Sequence, residues 1–199
     1  MRVKLTREQR IQVLNSQDIY KIMQQILLRE NKIGRSKEHF WVVCLSNSNR
    51  ILLIEMATLG TMKKSVIDPT EVFSFALQKR ASKVIMVHNH PGGKMEPSLE
   101  DKDITDRMYQ AGLFLELPVI DHLIIDEEGY YSFTDSGLLK KISLSQKYVL
   151  PYKQEEERIQ KRGEKKKTVE MARAMKKKGM DLALIAEVSG LSIKEIEKL

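Results

Sequence analysis

The chain has 199 residues, with 34 Lys and Arg against 27 Asp and Glu, 42% hydrophobic residues and a single cysteine. That length allows one sizeable core with a small appendage. No apolar run approaches the roughly 20 residues of a membrane span, and one cysteine excludes both an internal disulfide and a cysteine-built zinc knuckle.

The opening MRVKLTREQR lacks the apolar stretch of a secretion signal, so a cytoplasmic protein without membrane contact is expected. The formal charge of +7 is uneven. Residues 1–139 carry 18 Lys/Arg and 18 Asp/Glu, residues 140–178 carry 14 and 5, and residues 179–199 carry 2 and 4. This shift predicts a neutral domain over 1–139, a basic helical linker over 140–170 and a small helical hairpin over 171–199.

In chain order, Ser16 caps a helix over about 17–28, with Ile19, Met23, Ile26 and Leu27 as its apolar stripe. Residues 32–38 are charged, contain Gly34, and read as a loop. Phe40–Leu45 and Ile51–Met56 read as strands of a hairpin joined by Ser-Asn-Ser-Asn-Arg, and Cys44 inside the first reads as a buried thiol. Asp68-Pro69-Thr70-Glu71 marks a helix start, with a cap, Pro at the first position and Glu at the third; this helix is predicted to run to about Lys79. Val119–Ile125 and Tyr130–Phe133 flank Asp-Glu-Glu-Gly as a closing hairpin. Hairpins with helices between them predict an α/β or α+β domain with a mixed sheet.

Between these elements lies VIMVHNHPGGKMEPSLED, residues 84–101. The β-branched run into His88 predicts a strand, and residues two apart on a strand share a face, so His88 and His90 project together while Asn89 faces away. Pro91 ends the strand and Gly92-Gly93 turns the chain. Ser98 caps the next helix, predicted over about 99–111, which puts Asp101 in its first turn. Ser98-x-x-Asp101 is explained by capping alone. Joined to His-x-His, the same residues offer two imidazoles and a carboxylate, the ligand types of a catalytic Zn²⁺ whose fourth position holds water.

The spacing His88-x-His90, seven residues, Ser98-x-x-Asp101 resembles the JAMM motif of JAB/MPN metalloproteases. The wider text HNHPGGKMEPSLEDKDIT and LPVIDHLIID is similar to the RadC family of bacterial MPN-domain proteins over roughly residues 15–135. That family usually has Pro-Ser-Gly where this chain has Pro91-Gly92-Gly93, a loop difference outside the ligand positions. The resemblance implies a curved mixed sheet flanked by helices, His88, His90 and Asp101 as zinc ligands, and Ser98 supporting the water or the oxyanion by hydrogen bonding. It also implies a glutamate acid/base on a strand upstream of the histidines. Glu55, ending the apolar run Ile51–Ile54, is the residue taken for that role. As residues alone, it is either a buried carboxylate with a task or an idle strand end. Glu71 competes, but its place in a helix start already accounts for it. His122, in the Asp-His pair that matches the family, reads as a hydrogen-bonded structural histidine, and His39 is assigned nothing.

The tail is a separate object. Glu155–Lys178 has mixed charge at helical spacing, and Gly179 reads as the residue after a helix end. Asp181–Val188 and Ser192–Leu199 form two short helical patterns, with Ser192-x-x-Glu195 as a capping box. Leu182, Ile185, Val188, Leu191, Ile193 and Ile196 are the expected hairpin core. This end resembles the helix-turn-helix-like end of some transposase and mobile-element proteins. Lysines 165–167 and 176–178 are candidates for non-specific phosphate contact.

Two functions follow. The first is a zinc metallohydrolase cleaving an amide or isopeptide bond in a protein or peptide substrate. The second is a nucleic-acid-associated accessory protein, in DNA repair or a mobile element, with a structural or vestigial metal.

Overall fold

The computed structural model describes residues 3–6, 11–60 and 67–199. The chain divides into two compact units, one through Tyr148 and the other Val149–Leu199. The first unit takes in residues 140–148, which the charge count groups with the tail. They stay because Leu139 and Ile142 are buried against Ile124 and Phe133, and because Tyr148 donates a hydrogen bond to Asp103 at 2.9 Å.

The first unit runs α1 (Ser16–Leu27), α2 (Lys32–Arg35), β1 (Glu38–Leu45), β2 (Ile51–Gly60), α3 (Pro69–Gln78), β3 (Lys83–Asn89), α4 (Leu99–Phe114), β4 (Val119–Ile125), β5 (Tyr130–Ser132) and α5 (Leu138–Ile142). The strands form one mixed sheet in the order β2-β1-β3-β4-β5. Neighbours are antiparallel except β3 and β4, which are parallel and joined through α4 as a βαβ crossover.

Alternation along the strands sorts the core into two layers. Trp41, Val43, Leu45 and Val87 face α1 and bury Ile19, Met23, Ile26 and Leu27. Phe40, Val42, Cys44 and Met86 face α3 and α4 and bury Val72, Phe73, Ile104 and Met108. The fold is thus the expected mixed sheet flanked by helices.

Local departures from the sequence reading have local causes. Asn15, not Ser16, caps α1, its side chain accepting from the backbone N of Asp18; the Ser16 hydroxyl instead meets Tyr130 and Asp135. Residues 32–35, read as loop, make one helical turn capped by Asn31. Strand β1 begins two residues earlier than read, at Glu38, and β2 runs on to Gly60. Helix α4 continues to Phe114, where Gly112 lies against the chain returning at Leu117 and Val119.

The second unit holds α6 (Pro151–Lys177), α7 (Leu182–Ser189) and α8 (Ile193–Glu197). Pro151 at its first turn starts α6 four residues before the charged run. Gly179 adopts φ +76° after its end, the left-handed conformation that glycine tolerates. Ser192 donates to Glu195 from both its backbone N and its hydroxyl. Ala172, Ile185 and Ile196 form the buried core of this unit. Val188 and Ile193, expected in that core, are exposed, because α7 and α8 are too short to bury more than one face. Among the described residues, no helix is long and apolar enough to cross a membrane.

Candidate metal centre

The site forms at the sheet end where β3 and β4 finish and β1 begins, outside the carboxyl ends of the two parallel strands. His88 is the penultimate residue of β3 and is fully buried. His90 follows the strand, its backbone N bonded to the Ile125 carbonyl, and Gly93 at φ +71° turns the chain toward α4.

Asp101 enters from the first turn of α4, where it completes a reciprocal cap with Ser98. The Ser98 backbone N and hydroxyl both donate to Asp101 Oδ2, at 2.8 and 2.7 Å, and the Asp101 N donates to Ser98 Oγ at 3.0 Å. The cap is present, and the same carboxylate reaches toward the two histidines. Ser98 aims the carboxylate, with Oδ1 left 3.3 Å from His88 Nε2.

His88, His90 and Asp101 converge so that each offers one ligand atom, all within 4.8 Å of one another. The separations are 2.9 Å between the two Nε2 atoms, 3.3 Å from His88 Nε2 to Asp101 Oδ1, and 3.5 Å from His90 Nε2 to Asp101 Oδ2. A tetrahedral ion with bonds of about 2.0–2.1 Å has ligand–ligand edges of roughly 3.3 Å. His90 Nδ1 donates to the Lys94 carbonyl at 2.5 Å, which in the neutral ring leaves its Nε2 bare toward the others. The donor set fits a small, borderline cation that takes nitrogen and oxygen.

Electrostatics agree with this. Burial favours the neutral form of Asp101, yet its contacts with His88, His90 and Ser98 outweigh that and hold the carboxyl well below the usual carboxylate range. Burial pushes His88 below the ordinary imidazole range, against the pull of Asp101. The Asp101 contact raises His90, against partial burial.

An open cleft of about 650 Å³ leads to this point, lined by Glu38, His90, Pro91, Ser98, Glu100 and Asp101 among others. Local sequence does not single out Glu38, because residues 32–38 read as a charged loop. It stands two residues before Phe40, the antiparallel partner of His88, on the same face of the sheet, and its charge acts on both His88 and His90. The signal was there: an acidic residue on the alternation Glu38, Phe40, Val42.

Glu55 lies elsewhere. It is buried, pairs with Val42, and shares a row with Met86 and His122, on the sheet face of His88. That row is two strands across and two residues along from His88, about 10 Å and about 7 Å respectively. Glu55 does not line the cleft. Its charge acts on Cys44, whose thiol is pushed up to about 12, by burial first and by Glu55 second.

Asn89 faces away from His88 and His90, as alternation predicts. Its Oδ1 accepts from the backbone N of His39 at 2.7 Å and its Nδ2 donates to the Lys37 carbonyl at 3.0 Å. His39 stacks on Trp41, with ring centroids 5.0 Å apart, and shares Asn89 Oδ1 through Nδ1, so it acts in structure. His122 is fully buried and hydrogen-bonded, as expected, and one of its partners is His88.

The model of a family described as the RadC-like JAB domain matches residues 13–138. A UPF0758 protein from Chlorobium chlorochromatii is 36% identical over 138 residues, 69% of this chain and 60% of that protein. One from Methanosarcina barkeri is 38% identical over 133 residues, 67% of this chain and 56% of its own length. One from Caldanaerobacter subterraneus is 44% identical over 115 residues, 54% of this chain and 49% of that protein. The matches thus span about half to three fifths of each of these relatives.

Proposed function

This chain belongs to the RadC family of JAB domains, and on that premise we propose that it is a zinc-dependent hydrolase of amide bonds in a protein or peptide, working in the cytoplasm. The observation that carries this reading is the convergence of two imidazoles and an ionised carboxylate at the floor of an open cleft with a glutamate on its wall. Zinc held there would polarise a carbonyl and lower the pKa of a water to near neutrality.

The remaining work falls to the chain. We assign the acid/base role to Glu38 instead of Glu55, because a base must come within hydrogen-bond reach of the proton it moves. Glu38 borders the cleft and Glu55 does not. Glu38 would take the water's proton and return it to the leaving amine. Ser98 first orients Asp101; its hydroxyl is committed to Oδ2, so donation to an oxyanion would follow rotation of that hydroxyl.

Metal analysis and a peptide-library cleavage screen of wild type, Glu38→Gln and Glu55→Gln test this together. Glu38→Gln is expected to keep zinc and lose about 100-fold or more in turnover, while Glu55→Gln keeps most of it. Bound zinc with no turnover that depends on either glutamate sinks the enzyme reading.

A second property rests on α6, whose residues 151–177 carry ten Lys/Arg against five Glu and are mostly exposed. Such a helix favours non-specific contact with nucleic-acid phosphates. Binding to duplex DNA that weakens steeply between 50 and 200 mM salt (on the order of 10³-fold or more for six phosphate contacts) supports it. Equal binding after Lys165, Lys166 and Lys167 are changed to Glu removes it.

A further inference from the structure

We propose that His122 and Thr105 are positioning residues that hold His88 as its Nδ1–H tautomer, with a bare Nε2 turned toward His90 and Asp101. The proposal rests on the metal reading for its purpose but not for its geometry.

The direction of the chain of hydrogen bonds is set at its far end by a group that only accepts. The Thr105 hydroxyl has one proton, and it donates that proton to the backbone carbonyl of Asp101 at 2.5 Å. Thr105 Oγ1 also lies 2.7 Å from His122 Nδ1, so with its proton spent it accepts there, and His122 carries its proton on Nδ1. His122 Nε2 is then an acceptor. It lies 2.8 Å from His88 Nδ1, which must therefore donate, leaving His88 Nε2 without a proton. The neutral His90 ring reaches the same state through the Lys94 carbonyl. Two imidazoles thus present lone pairs to one point by two independent devices.

The His122 ring is fixed as well as its proton. Phe133 stacks on it, centroids 4.8 Å apart and planes 25° apart, and Phe40 meets it edge-on at 5.9 Å. Thr105 sits one helical turn after Asp101 on α4, so the residue that ligates and the residue that orders the tautomer move as one piece. Partners of this kind fix ring orientation and tautomer at metal sites.

The test uses the full chain, with its four histidines. Two-bond ¹H–¹⁵N correlation spectra of the zinc-free protein report each imidazole's tautomer; His88 and His122 are both expected as Nδ1–H. Zinc affinity is read by competition with a chromophoric chelator. Thr105→Val, which keeps shape and removes the hydroxyl, is expected to lose about 10- to 100-fold in affinity and to mix the His88 tautomers. Thr105→Ser is expected to restore both to near wild type. A wild-type His88 found as Nε2–H overturns the proposal, whether or not zinc binds and whether or not Thr105→Val folds. So does a Thr105→Val protein with wild-type affinity and spectra, or a Ser variant that falls as far as the Val variant, which would assign Thr105 to packing.

Discussion

Asn89 and His39 are joined across two strands: the Asn89 carboxamide accepts from the His39 backbone N at 2.7 Å, and from the same position donates to Lys37. Asn89 sits between His88 and His90 in sequence yet acts on the opposite face of the sheet. It ties down the chain on both sides of Glu38, so the segment that carries the two histidines also locates the carboxylate across the cleft.

Removing that tie gives a separable effect. Asn89→Ala is expected to destabilise the protein by about 1–3 kcal/mol, the range for buried hydrogen-bonding groups left unmatched, while zinc stoichiometry stays at the wild-type value. Urea denaturation and metal analysis on the same preparations check it. A variant as poor in zinc as His88→Ala contradicts the division of labour between the faces.

The Ser98–Asp101 pair closes a helix end and orients the carboxylate proposed to hold zinc. Ser98→Ala should therefore cost about 1 kcal/mol of stability as a lost N-cap and about 10-fold or more in zinc affinity as a lost ligand support. Asp101→Asn should abolish zinc binding while the protein remains folded. Thermal melts beside chelator competition separate the two; unchanged affinity in Ser98→Ala would leave only the cap.

Much of this cluster was legible in the sequence because the residues that converge in it are local. His88, His90, Ser98 and Asp101 are specified by strand alternation, a Pro-Gly-Gly turn and a helix cap, all short-range rules. Glu38 and His122 were not, because each reaches the site through pairing between distant segments, and the part of Thr105, one helical turn from Asp101, depends on His122 being there. The β1–β3 register brings Glu38 in, and the parallel β3–β4 register brings His122 in. Glu55 looked purposeful for a local reason, an acid after four apolar residues. Its surroundings are set by the same long-range pairing, which carries it away from the cleft.

Gly112 is held by contact. A Cβ there would come within 2.6 Å of the Leu117 carbonyl oxygen and 3.2 Å of the Phe73 ring. Alanine gains up to about 1 kcal/mol of helix propensity, but a clash with backbone is not relieved by a rotamer change, and overpacking of this kind costs about 1–3 kcal/mol. Gly112→Ala is expected to lower the Tm by a few degrees, at about 2–4 °C per kcal/mol for a chain of this size. A melt at or above wild type refutes the crowding.

Cys44 offers a check on the core. With its thiol pushed up to about 12, against an ordinary value near 8.5, it stays protonated through pH 7–9. Raising the pH across that interval should leave its labelling by iodoacetamide negligible in the folded protein, whereas an ordinary thiol would react faster at each step. Labelling should appear with unfolding in urea. Ready labelling at pH 8 without denaturant would place Cys44 outside the core.

All three candidate ligand positions lie within the fourteen residues from His88 to Asp101, a single strand, turn and helix start. An ion binding there closes only a short loop, and a short loop carries little of the chain's configurational freedom. The two apolar layers that hold the sheet are built from other residues. Loss of an ion held there would therefore leave the scaffold standing.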